Sequence, residues 1–263
     1  MPGAMERAHP ARVYDYLLGG RDNYPVDRRA AEEGLRANPA SRVPPRENRA
    51  FLRRVVGHLA GERGVRQFLD IGTGIPTSPN VHEVAQAVAP DARVVYVDND
   101  PIVLAHAAGL LRGAPPGRTG YVDADLRDVE RILASPQLRA VLDLDRPVAV
   151  VLVAIMHFVA DADGPYEIVR RLLDAVPSGS YLALSHLTGD FDPDAWDRVA
   201  AIFARDGVTL RVRSRAEIAR FFDGLDLLDP GLPLVTRWRP DAAVNLAATD
   251  AEVAVYGGVA RKP

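Results

Sequence analysis

The sequence predicts an α/β fold: a mostly parallel sheet covered by helices on both faces, preceded by a helical extension. Three observations carry this. From residue 66 onward short apolar runs alternate with segments of helical period, the order that builds parallel sheets. A Gly-rich turn inside RQFLDIGTGIPTSPN, residues 66–80, joins the first run to the first of these helices. Two strand-like runs near the end, 234–238 and 252–259, suit a closing antiparallel hairpin.

Taken in order, residues 1–60 read as a helical extension and 61–263 as the sheet domain. In ARVYDYLLGGRDNYPVD (11–27), Tyr14, Tyr16, Leu17 and Leu18 start a short amphipathic helix that Gly19 and Gly20 end, and Asp22, Asn23 and Pro25 continue as a turn. The mix of aromatic and polar side chains suits a lid over a pocket, with Tyr16, Asn23 and Tyr24 as expected contacts; packing of the tyrosines on the domain surface suits it equally. Pro44 and Pro45 lead into a helix with Phe51, Val55 and Leu59 on one face, ended by Gly61 and Gly64. Phe68 and Leu69 mark the first strand of the domain, after which Ser78 caps a helix carrying the stripe Val81, Val84, Ala85 and Val88. Residues 93–98 form the second strand, with Asp100 and Pro101 opening the next helix, and residues 121–125 form a third. The continuous apolar run VAVVLVAI (148–155) reads as a central parallel strand, and Ile168, Val169, Leu172 and Leu173 as the buried face of its helix. A fifth strand at 181–186, a helix around 196–203, and a Ser214/Glu217 capping box opening a helix through Phe222 complete the series.

The Gly-rich turn is the chemical centre. Gly72 and Gly74 let backbone approach a ligand closely, and the N-terminus of the following helix attracts a phosphate or carboxylate. A dinucleotide fingerprint needs glycine at 72, 74 and 77, but residue 77 is Thr. Asp70 would also repel a pyrophosphate while holding an ammonium. The pattern therefore favours S-adenosylmethionine over NAD, with Asp70, Gly72, Thr73 and Gly74 as contacts. Asp98 ends the second strand, where a carboxylate accepts hydrogen bonds from a ribose diol, and Asn99 follows it. His157 and His186 follow or end strands where ligands of open sheets bind, so each is a candidate general base as well as a candidate packed residue.

The run Asp70-Ile71-Gly72-Thr73-Gly74 resembles the first motif of the class I S-adenosylmethionine-dependent methyltransferases, departing at Pro76 where that motif has its last glycine. More closely, YDYLLGGRDNYPVDR, RENRAFLRR, QFLDIGTGIPTSPNVHEVAQ and YVDNDP resemble the actinobacterial S-adenosyl methyltransferase family formerly classed as a domain of unknown function, which carries the same Pro76. The resemblance implies a Rossmann-like seven-stranded sheet with antiparallel C-terminal strands and S-adenosyl-L-methionine as cofactor. It also implies that adenine is held at Asp125 and Leu126, with Asp123 a competitor on the same strand face.

Composition narrows the class. The chain has 263 residues, 48% hydrophobic and 25% charged, with a net charge of −3, which predicts a globular protein with no general pull toward nucleic acid or membrane. No apolar run reaches membrane-spanning length and no signal-like apolar core opens the chain, so a cytoplasmic location is expected. With no cysteine and no HExxH spacing, no metal site is expected. The resulting reading is a methyltransferase acting on a small-molecule acceptor, of unspecified oligomeric state. The alternatives are a non-catalytic S-adenosylmethionine-binding sensor, and an NAD(P)-dependent oxidoreductase if the Gly72 loop takes pyrophosphate despite Asp70.

Overall fold

The computed structural model describes residues 7–110, 115–242 and 247–263. Seven strands form one sheet: β1 (Gln67–Ile71), β2 (Arg93–Asp98), β3 (Arg118–Asp123), β4 (Ala149–Val153), β5 (Tyr181–Leu187), β6 (Asp226–Leu227) and β7 (Val255–Arg261), in the spatial order β3-β2-β1-β4-β5-β7-β6. The pairings among β1 to β5 are parallel, while β7 runs antiparallel to both β5 and β6. This is a Rossmann-like sheet, mostly parallel with antiparallel C-terminal strands.

The helices are α1 (Pro10–Leu18), α2 (Pro25–Ala37), α3 (Val43–Gly61), α4 (Val81–Val88), α5 (Pro101–Leu110), α6 (Val129–Ala134), α7 (Pro136–Val141), α8 (Pro165–Asp174), α9 (Pro193–Arg205), α10 (Arg215–Ala219) and α11 (Asp250–Val253). Proline in the first turn recurs because the missing N–H is one the helix would leave unpaired. α3 buries Phe51, Val55 and Leu59 completely against the sheet, and full burial of side chains of this size stabilises by about 1.5–3 kcal/mol each. In packing terms α3 therefore belongs with the sheet, although it lies within the 1–60 extension of the sequence reading. A second apolar cluster, holding Val13, Val26, Ala31, Trp196, Val199 and Phe203, binds α1 and α2 to α9.

Four local expectations differ from the structure. The cap of α4 is Asn80 and not Ser78, because Asn80 and Glu83 form a reciprocal capping box. The turn expected at 22–25 continues directly into α2, whose buried stripe of Val26, Ala30, Ala31 and Gly34 is too small-residued to show as an apolar period. Residues 234–238 hold only a bridge from Leu234 to Tyr256 and a 3-10 turn at Val235–Arg237. The reason is Arg54, which donates to the carbonyls of Val235 and Trp238 and so takes the acceptors a strand ladder would use. The partner of β7 is instead the short β6.

Candidate functional site

Strand order reverses between β1 and β4, which leaves a crevice beyond their carboxyl ends, where open α/β sheets bind ligands. A cavity of about 320 Å³ occupies it, within the roughly 300–1,000 Å³ of small-molecule sites. Its lining includes Asp70, Gly72, Thr73 and Gly74 after β1, Asp98 and Asn99 at the end of β2, and Asp125 and Leu126 beyond β3. Gly72 sits at φ 75°, and a Cβ there would come within 2.5 Å of the Ile155 side chain. Both facts require glycine. Gly74, at φ 68°, donates its N–H to Asp98 Oδ2 at 2.8 Å, which ties the loop to the end of β2.

Three carboxylates thus face one cavity from three neighbouring strands. Burial pushes the Asp70 carboxyl up to about 7, with Asp98 adding to the rise and Arg49 opposing it. Asp98 is also raised by burial, although it accepts hydrogen bonds from the amides of Asp100 and Gly74. Asp125 is lowered, chiefly by its hydrogen bonds from Arg127, and it also accepts one from Asn99 at 2.9 Å. Arg49 of α3 lines the cavity too, held by the carbonyls of Thr77 and Pro79. It carries no local sequence signal, because it reaches the loop from a separate helix. The N-terminus of α4, expected to attract an anion, is instead covered by its own Glu83 carboxylate on the Asn80 amide.

The first helix covers the Gly-rich loop. Its side chains Pro10, Ala11, Tyr14 and Asp15 line the cavity, and a Cβ on Gly74 would lie 3.9 Å from that of Ala11. The helix is tethered to the end of β2: His9 Nδ1 lies 3.0 Å from Asp100 Oδ2, and the buried Arg12 pairs with Asp27 at 3.0 Å and approaches Asp100 at 3.5 Å. Tyr16, Asn23 and Tyr24 are not in the lining, which corrects the expected contacts. Tyr16 falls on the other side of α1 and donates to Glu32. The amide of Asn23 donates to Asp15 Oδ2 at 2.7 Å, and Tyr24 precedes α2 with its N–H on Asp27. The helical phase selects Tyr14 and Asp15 instead.

His157 and His186 also lie outside that lining. Burial drives the His186 imidazole down to about 3, and both nitrogens are used: Nδ1 donates to the Leu187 carbonyl at 2.6 Å and Nε2 accepts from Arg213 at 2.9 Å. A histidine so placed is a fixed neutral packing element, so the general-base reading does not hold for it. Burial, then His186 and Arg213, likewise push His157 far down. Its Nδ1 accepts from the Leu187 N–H at 3.4 Å, which leaves the proton on Nε2 and makes the ring a donor. His157 lines a second, smaller pocket of about 70 Å³ between α1, α2 and α9. Pro10, Tyr14, Asn48, Ala154 and Phe158 line both spaces. Among the described residues no group of three or more His, Asp or Glu is placed to hold a metal ion, and no helix is long and apolar enough to cross a membrane.

The model of a family described as S-adenosyl methyltransferase matches residues 4–263. Among solved structures, a DUF574 family protein from Streptomyces avermitilis is 54% identical, with 98% of this chain and 99% of that chain covered and a TM-score of 0.96. A Thermobifida fusca protein proposed to be a methyltransferase is 40% identical over 99% and 97% of the two chains, with a TM-score of 0.90. The N-methyltransferase NodS from Bradyrhizobium japonicum, in complex with S-adenosyl-L-homocysteine, shares the fold at 13% identity, a TM-score of 0.51, and coverage of 96% and 99%. No match is found among curated proteins.

Proposed function

The chain belongs to the S-adenosyl methyltransferase family and is an S-adenosylmethionine-dependent methyltransferase; from that premise we propose that the Asp70–Asp98–Asp125 cavity holds the cofactor and that the methyl acceptor is a small molecule. The observation that carries the site assignment is the set of three carboxylates around one cavity over a Gly-rich loop. They suit a ligand with an ammonium, a ribose and a base, and they repel a pyrophosphate. The residues fit such a ligand. Asp70 is a buried acid without a short ion pair among the described residues, and it gains most from a cation. Arg49 supplies a positive charge for the carboxylate of the same amino-acid moiety. Asp98 keeps a second lone pair on each oxygen for the ribose hydroxyls. Asp125 and Leu126 bound the adenine end.

When bound, S-adenosylmethionine supplies a methyl group on a sulfonium. The chain's own contribution is to position the reactants and exclude water, with α1 laid over the loop as part of that enclosure. The size of the cavity, with a covering arm and a small adjoining pocket, supports a small acceptor. A thermal-shift panel tests the assignment, because a ligand that binds the folded state raises its melting temperature. S-adenosylmethionine and S-adenosylhomocysteine are expected to stabilise and NAD is not; stabilisation by NAD alone would reverse the reading.

A further inference from the structure

Arg127 lines the cofactor cavity beyond β3, next to Asp125 and Leu126, and has so far been given no task there. Its guanidinium is fixed in place. Nε donates to Asp125 Oδ1 at 2.8 Å and Nη2 to Oδ2 at 2.6 Å, the two-point fork that holds guanidinium and carboxylate in one plane. The turn that carries the pair is closed as well, because the Arg127 N–H donates to Asp125 Oδ1 at 2.9 Å and the Asp128 N–H to the Asp125 carbonyl at 3.0 Å. The remaining nitrogen, Nη1, lies 3.8 Å from Asp163 Oδ2. The edges of the guanidinium thus meet carboxylates, while 55% of the side chain stays exposed. Asp125 is used up by the same contacts. A carboxylate offers about four lone-pair positions; here Oδ1 accepts from the Arg127 N–H and Nε, and Oδ2 accepts from Arg127 Nη2 and from Asn99 Nδ2 at 2.9 Å. None is left for the amino group of a base.

Resting on the cofactor assignment above, we propose that the adenine is held by stacking on the guanidinium face of Arg127, and that Asp125 is a positioning residue that keeps this face in place instead of accepting from the adenine amino group. The edges of the guanidinium are committed to Asp125 and Asp163, so the face is the part that a ligand can use. A guanidinium is planar, delocalised and weakly hydrated, which suits it to stack on flat rings, and unpaired bases are held on Arg planes in this way elsewhere. An exposed ion pair by itself stabilises a fold little. Placed in the wall of a ligand cavity and joined by Asn99, this pair has a use beyond the fold, which is to present a rigid cationic plane. Recognition of the base then rests on its ring face and little on its amino group.

The test compares S-adenosylhomocysteine with its analogue in which hydrogen replaces the adenine amino group, by calorimetry on the full chain. The two are expected to bind within about threefold of each other, since stacking tolerates changes at the ring edge; a carboxylate that accepted from the amino group would instead cost the analogue roughly tenfold or more. Arg127→Lys, which keeps the charge and loses the plane, is expected to weaken both ligands by roughly two- to thirtyfold. Asp125→Asn is expected to weaken both by one common factor, because its effect passes through Arg127. A geometric readout accompanies these. The Arg127 Nε–H resonance of the nitrogen-labelled chain, assigned by its loss in Arg127→Lys, is expected to move upfield when S-adenosylhomocysteine binds, as protons over a ring face are shielded and protons in the ring plane are deshielded. Binding of S-adenosylhomocysteine with that resonance unmoved or shifted downfield, or a tenfold penalty for the analogue that Asp125→Asn removes, overturns the stacking and leaves the cofactor assignment standing. Failure of S-adenosylhomocysteine to bind at all overturns both.

Discussion

Asp70 allows the proposed cofactor site to be interrogated by pH. In the ligand-free protein burial holds its carboxyl at about 7 against a usual 3.8, a difference of about three units, or roughly 4 kcal/mol at 1.36 kcal/mol per unit. Between pH 4 and 7 the folded chain therefore keeps a proton that the unfolded chain has lost. More protons bound in the folded state means that stability falls as pH rises through this window, by up to that amount. An ammonium placed on Asp70 reverses the preference and expels the proton. If only the ionised carboxylate binds, affinity for S-adenosylhomocysteine weakens by about tenfold for each pH unit below 7, and about 0.9 proton is released per binding event at pH 6. Calorimetric titration between pH 5.5 and 8, in two buffers of different ionisation enthalpy, measures both quantities. Asp70→Asn is expected to flatten the pH dependence, abolish the proton release, and weaken binding at pH 8 by about 1–3 kcal/mol. Equal wild-type affinity at pH 5.5 and 8, or unaltered affinity in Asp70→Asn, would refute the placement of an ammonium on this carboxylate.

The other site residues give sharper structural outcomes. Asp98→Ala is expected to leave a folded protein whose S-adenosylhomocysteine affinity is weaker by about 1–3 kcal/mol; an unchanged calorimetric Kd would remove the ribose assignment. Gly72→Val is expected to abolish binding, because φ 75° and the 2.5 Å approach of Ile155 leave no room for a branched Cβ, and a folded variant that binds normally would count against the loop. Hydrogen exchange should slow in α1, Pro10–Leu18, when S-adenosylhomocysteine binds; identical exchange in both states would make the arm surface packing and not a lid.

Much of this site was legible because it lies at strand ends. Asp70, Asp98 and Asp125 follow apolar runs whose length and period mark them as parallel strands, and a parallel sheet brings all its carboxyl ends to one edge. The N-terminal arm was less legible. Its helix begins at Pro10, and moving the phase by two residues exchanges Tyr14 for Tyr16 as the inward side chain. Arg49 lies 23 residues before Gly72 on α3, so its contact with Thr77 and Pro79 is a tertiary fact without a local signal. The two histidines part company: His157 lines the second pocket, whereas His186 pairs with Arg213 and the Leu187 carbonyl. Their place beside strands was correctly read, but position along a strand does not say which face a ring takes, and His186 faces Arg213. The edge at 234–238 failed for a related reason, since Arg54 captures carbonyls from a helix far away in sequence.

A crystal structure with S-adenosylhomocysteine tests the central claim most directly. The ligand's ammonium is expected on Asp70, its ribose diol on Asp98, its adenine between Asp125 and Leu126, and its sulfur toward Ala154. Density for the ligand elsewhere on the chain, or in this cavity with the ribose away from Asp98, would contradict it.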